Sequence, residues 1–352
     1  MSNTHMKIRM QRLVLPAVIA ALAIGAVPCW AQVPTPPSPP SPPSPASPAD
    51  VPAPPRPPRP PRPPRAWFGG DHGVAKIDTL LPFSSNGTID LSLVSGTMKV
   101  STWDRNQVRV VASTTGEPSL QLDASSSHLT LEQTRSGSRR GRSDDLGTAT
   151  YDVTVPNGTR ASLAAVSGSI NAAGLRGAVD ANNVSGSIDL RDLGASVNVE
   201  GVSGRITVAN VASDAHVENV SGRVSLTGVG GSVTAETVSG GIILAGVRGD
   251  RVHVTTVSGD IDFTGSVPSS GRYDFETHSG DARLKLASNT QATLSVETFS
   301  GSVSNDFPGA VRRKNSDPDD DSTNYDFIIN RGGGRVRVET FSGSVHISRV
   351  NQ

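Results

Sequence analysis

Cysteine is nearly missing from this 352-residue sequence. The one present, Cys29, lies in an N-terminal stretch expected to be removed. Disulfides and a cysteine nucleophile are therefore excluded from the mature chain. No stretch shows helical periodicity with caps, which excludes a helical domain. After Val27 no apolar run is long enough to span a membrane, so no integral span is expected once the leader is gone. A basic surplus is lacking as well: lysine plus arginine number 32, and so do aspartate plus glutamate. Setting residues 1–65 aside leaves 25 basic against 31 acidic residues, a net of −6. A nucleic-acid-binding body shows a clustered positive surface instead, so no nucleic acid is expected as a partner.

What is there begins with a leader. Lys7, Arg9 and Arg12 precede an apolar run from Leu13 to Val27, and Pro28-Cys29-Trp30-Ala31 offers a cut after Ala31. Residues 1–31 thus read as a secretory signal peptide, and the chain as exported: periplasmic, on the outer surface, or secreted. Residues 32–66 form a proline- and arginine-rich linker holding 18 of the 26 prolines. Such a run adopts polyproline II, with three residues per turn. Arg56, Arg59, Arg62 and Arg65 fall every third residue and share one face. The arm reads as a stiff soluble spacer, or as a basic rod lying on an anionic polymer.

The remainder is a repeat. Serine-glycine pairs place glycines at 96, 168, 186, 204, 222, 240, 259, 280, 301 and 343. From Gly168 the steps are 18, 18, 18, 18, 19, 21, 21 and 42, and the first gap of 72 is four times 18. A fixed period near 20 marks a repeat architecture. In rungs 165–182, 183–200, 201–218 and 219–236, place two is always valine (Val166, Val184, Val202, Val220). Place six is Ile170, Ile188, Ile206 or Val224, and a second apolar cluster follows at places eleven, fifteen and seventeen. Alternation within each cluster predicts two short strands per rung joined by tight turns. One rung cannot bury its apolar face alone, whereas stacked rungs can. The expected fold is all-β: a parallel β-solenoid, or β-helix, of about nine 18–21-residue rungs over 165–352. Residues 67–164 read as an irregular β cap, with a separate small β-sandwich as the alternative. His278, Phe299 and Phe341 replace valine at place two, which predicts a wider interior towards the C-terminus. Residues 308–328 read as a polar insertion loop, and 135–145 as a second loop.

Several patterns carry potential chemistry. A serine before glycine resembles a nucleophile turn, but nine or ten equivalent serines cannot each own a histidine among seven. Gly168, Gly186, Gly204, Gly222, Gly240, Gly259, Gly280, Gly301 and Gly343 are instead expected as turn corners. There glycine permits positive φ and serine satisfies the turn backbone, with Val184 and Ile188 pointing inward. The 18-residue period is shared with calcium-binding nonapeptide rolls, but those need an oxygen ligand at a place here held by Arg205 and Arg223. Asp317, Asp319, Asp320 and Asp321 read as a solubilising loop rather than an ion site. No metal site, cofactor or catalytic residue is assigned. The last place of successive rungs holds Glu200, Glu218, Glu236, Glu276, Glu297 and Glu339, a stacked acidic column that forms the candidate binding surface. Thr-x-Ser columns such as Thr237/Ser239 and Thr277/Ser279 suggest a hydroxyl ladder. Asp260, Asp262 and Asp281 lie close enough in rung space for a carboxylate pair of the kind polysaccharide-cutting β-helices use.

The stretch TYDVTVPNGTRASLAAVSGSI (150–170), the serial V-S-G-x-I rungs, and GGGRVRVETFSGSVHI (332–347) together resemble the bacterial putative-adhesin family of β-strand-repeat proteins. The resemblance spans residues 75–350. It implies an exported solenoid-like β domain of unknown function without catalytic residues. The expected role is a non-enzymatic cell-envelope protein that binds or scaffolds, with envelope polysaccharide, peptidoglycan or an envelope protein as partner. A polysaccharide-active enzyme is the alternative, and an accessory of envelope-stress signalling is suggested by the contexts in which the family occurs.

Overall fold

The computed structural model describes residues 66–67, 76–115, 118–135, 147–307, 311–315 and 323–350. The signal-peptide reading and nearly all of the proline arm fall outside them. Every element in the described residues is a β-strand. The reason is visible in one rung. Val197–Ser203 pairs in parallel with Val179–Ser185 on one side and Ala215–Ser221 on the other. The second strand, Ile206–Val211, lies likewise between Ile188–Leu193 and Val224–Val229. Partners differ by 18, as in Val179, Val197 and Ala215, so the sequence period is the perimeter of one coil. Val197, Val199, Ile206, Val208 and Val211 fill the thin interior of this rung.

The period-two alternation sets which side chains enter. Places fifteen, seventeen and one point inward, so places eighteen and two point out; the glycine corner then reverses the parity, and places six and eight enter. Val184, expected inward, is therefore 49% exposed, whereas Ile188 is buried. The same reversal corrects the C-terminal widening. His278, Phe299 and Phe341 stand outside, and the enlarged interior is filled by Phe263, Tyr273 and Phe275, with ring centroids 5.4–6.4 Å apart. These three lie where the rung lengthens to 21 residues. Burial pushes the Tyr273 hydroxyl up to about 12, and it donates to the Gly249 carbonyl at 2.9 Å.

Two long steps in the glycine series turn out not to be runs of extra rungs. Thr88–Trp103 bends around Gly96 as the first rung and pairs directly with Arg160–Ala173, setting Gly96 against Gly168. The residues between them build a cap instead. Gln107–Thr115 runs antiparallel to both Lys76–Pro82 and Thr148–Pro156, and Pro118–Ala124 antiparallel to His128–Arg135. At the other end spatial order departs from chain order. Gly334–Ser342 is parallel to Arg272–Ser279 on one side and to Ala292–Ser300 on the other. The last rung is wedged between its two predecessors, and Gly343 separates Gly280 from Gly301. The segment expected as a polar insertion loop carries Val311–Asn315 and Thr323–Ile329, an antiparallel pair that closes the free edge of Ala292–Ser300.

Candidate binding face

The corner glycines are held by their neighbours. A Cβ on Gly204 would lie 1.8 Å from the Gly186 carbonyl oxygen, and φ there is +139°. From Gly186 to Gly280, and at Gly343, the corner glycine N–H donates to the serine carbonyl of the rung next in space, as Gly186 does to Ser203 at 3.0 Å. Backbone bonding between rungs thus satisfies the corner that serine hydroxyls were expected to satisfy, and Ser185, Ser203, Ser221 and Ser239 stay exposed.

Place one, apart from Ala165 and Gly201, is buried and polar. Asn183 donates to the Gly168 carbonyl at 2.9 Å and Asn219 to the Gly204 carbonyl at 3.2 Å. Thr256 and Thr277 do the same to Gly240 and Gly259 at 3.4 and 3.2 Å. The threonine column, including Thr237, therefore lies inside the coil, and no surface hydroxyl ladder forms with the serines.

Two columns stand side by side on the outer face of this sheet. One is acidic. In spatial order it runs Glu200, Glu218, Glu236, Thr255, Glu276, Glu339, Glu297. His216 lies 2.9 Å from Glu218, and Arg337 pairs with Glu339. Burial raises the Glu339 carboxyl to about 7 against the opposing pull of Arg337; Glu276 and Glu297 on either side raise it further, as does a hydrogen bond shared with Glu297. The other column is apolar: Val166, Val184, Val202, Val220, Val238, Val257, His278, Phe341 and Phe299. Val166 is 50% exposed and Phe299 41%. The last three rings stack face to face, with centroids 4.9 and 4.8 Å apart. One column further out, Asp180, Asn198, His216 and Thr234 line a shallow depression of about 280 Å³. Sequence reading named the glutamates but placed the valines inside. Carrying the alternation of places fifteen and seventeen forward to place two would have put them outside.

The aspartates weighed as a catalytic pair surround one guanidinium. Arg283 lies 2.8 Å from both Asp260 and Asp281, and 3.8 Å from Asp262. Asp260 also accepts the backbone N–H of Asp281, and Asp281 that of Ser344, both at 3.0 Å. Its bond to Arg283, then the Asp281 N–H, hold Asp260 below the usual carboxylate range. Asp260 is thus arranged to stay ionised, and with Asp281 it ties consecutive corners. Among the described residues no group of three or more His, Asp or Glu is placed to hold a metal. Asp317, Asp319, Asp320 and Asp321 lie outside the described residues, as do 136–146 of the first loop.

A family model described as "Toastrack DUF4097" matches residues 88–348. A search of curated proteins found no match. Among solved structures, the chain is similar to a "putative cell adhesion protein" from Clostridium sporogenes, at 10% identity over 78% of this chain and 100% of that one. Its TM-score of 0.21 is too low to carry any argument.

Proposed function

The chain belongs to the Toastrack DUF4097 family, and from that premise we propose that it is an exported, non-enzymatic binding or scaffold module of the cell envelope. One observation carries this reading: an apolar column and an acidic column run side by side from the rung of Glu200 to that of Glu297 on an exposed sheet face. A continuous exposed apolar surface rimmed by polar groups is a mark of interaction sites. Repetition without a unique catalytic constellation fits a partner that is itself long, such as envelope polysaccharide, peptidoglycan or an extended protein.

The test is binding of the full chain to intact cells, isolated peptidoglycan and surface polysaccharide, beside a Val184→Glu variant. Val184 is half exposed, so the substitution should leave thermal unfolding unchanged while weakening binding. Absence of binding to all three by the unaltered chain would sink the proposal. Product release from a glycan panel, abolished by Asp260→Asn or Asp281→Asn, would favour the enzyme instead. Protease accessibility on intact cells decides between the outer surface and the periplasm.

A further inference from the structure

The spatial order of the acidic column contains an alternation that the chain order hides. Across its seven places, Glu218 at the second has His216 and Glu339 at the sixth has Arg337. The fourth place is Thr255. The odd places, Glu200, Glu236, Glu276 and Glu297, have no basic side chain within ion-pair distance among the described residues. With strands about 4.8 Å apart, these four carboxylates recur every ~9.6 Å and span about 29 Å. Beside them runs the half-exposed apolar column from Val202 to Phe299.

Polyproline II rises about 3.1 Å per residue, so a charge at every third residue recurs every ~9.3 Å. The sequence PRPPRPPRPPR, residues 55–65, has its arginines at 56, 59, 62 and 65, with prolines between. Four arginines on such a helix span about 28 Å, within about 1 Å of the four glutamates. Proline rings offer an apolar surface to cover the valine column. The signs are complementary too, since the arm carries four arginines while residues 66–352 hold a net of −6.

We propose that this face docks the proline–arginine arm of a second copy of the chain, with Arg56, Arg59, Arg62 and Arg65 on Glu200, Glu236, Glu276 and Glu297 in either direction. The arm of the same copy cannot make this match. Ala66–Trp67 pairs with Pro118–Ala124, which pairs with His128–Arg135, then with Thr88–Trp103, Arg160–Ala173, Val179–Ser185 and Val197–Ser203 in turn. That puts Ala66 six strand spacings, about 29 Å, from the strand of Glu200. One residue spans at most about 3.6 Å, so Arg65 of the same chain reaches none of the four.

The inference rests on the reading of this face as a binding surface and is tested with the full chain. Sedimentation equilibrium should show concentration-dependent association that weakens about tenfold or more between about 50 and 500 mM salt. A synthetic peptide of residues 55–65 should bind and dissolve the association. A peptide of the same composition with its four arginines moved off the three-residue spacing should bind about tenfold more weakly, because its charges fall out of step. Glu200→Gln, Glu236→Gln, Glu276→Gln and Glu297→Gln combined should abolish peptide binding with the circular dichroism spectrum unchanged. A monomeric chain at all concentrations, a quadruple variant that binds as before, or equal binding of the two peptides would each overturn the proposal. If the face binds envelope polymer but not the peptide, the binding reading stands and this inference falls; if it binds neither, both fall.

Discussion

At the residue scale the corner is a problem of a single methyl group. The Gly204 Cβ position is occupied by the Gly186 carbonyl oxygen, and its φ of +139° disfavours any side chain. Gly204→Ala should therefore cost at least about 2 kcal/mol in chemical denaturation, from strain plus a forced separation of two rungs. Gly241→Ala, one residue past the next-but-one corner, meets only the Asp260 carbonyl oxygen at 3.4 Å and should cost less than about 0.5 kcal/mol. Glu339 makes a second residue-scale prediction. Its carboxyl is raised from 4.5 to about 7, so the folded state holds a proton more tightly than the unfolded chain. The stability this gives is fully present below about pH 4.5 and is lost as pH rises through 7. Partial exposure and sharing with Glu297 reduce the effect to roughly 2 kcal/mol. The melting temperature should thus fall between pH 4.5 and 7, and Glu339→Gln should flatten that slope. The glycines were legible in the sequence because their spacing repeats. The outward valines were legible too, by carrying the alternation of places fifteen and seventeen forward; the parity reversal at the corner hides this when they are grouped with places six and eight.

Elements in this protein are pairs of strands a coil apart, and their neighbours are set by stacking. The wedged C-terminal rung is where this matters most. Gly334–Ser342 and Val345–Val350 each lie between strands of two other rungs. Truncation after Gly333 should expose both faces of that gap, and residues 272–305 should become protease-sensitive along with it. Had the rungs stacked in chain order, the truncation would trim one end and leave 272–305 protected; limited proteolysis distinguishes the two. The aromatic trio gives a further expectation at this scale. Phe275→Ala leaves a cavity against Phe263 and Tyr273 and should cost about 3–5 kcal/mol by thermal unfolding.

For the whole molecule the question is how a repeat ends. A parallel stack exposes unpaired backbone at both edges, an invitation to end-to-end association. Antiparallel pairing follows the stack at each end here: Gln107–Thr115 and Pro118–Ala124 run against the strands that flank the first rung, and Thr323–Ile329 covers Ala292–Ser300 at the other end. Deleting residues 308–329 should leave a folded stack whose bared edge assembles end to end, seen as scattering that grows with concentration. The sequence marked this segment only as a break in the period, since its own residues look like a polar loop. Its edge-closing role depends on Ala292–Ser300 being the outermost rung, which follows from the wedge.

The 18-residue period, the alternating apolar places and the corner glycines are properties of single coils, and a coil is local. The β-solenoid, its perimeter, the buried places after the corner and the identity of the acidic column therefore follow from the residues alone. Order along the stack is not local. One rung pairs with another through backbone groups every rung possesses, so nothing in the spacing distinguishes consecutive stacking from the wedge that sets Glu339 between Glu276 and Glu297. That order emerges only when the rungs stack, and with it which glutamates gain a basic partner and which do not.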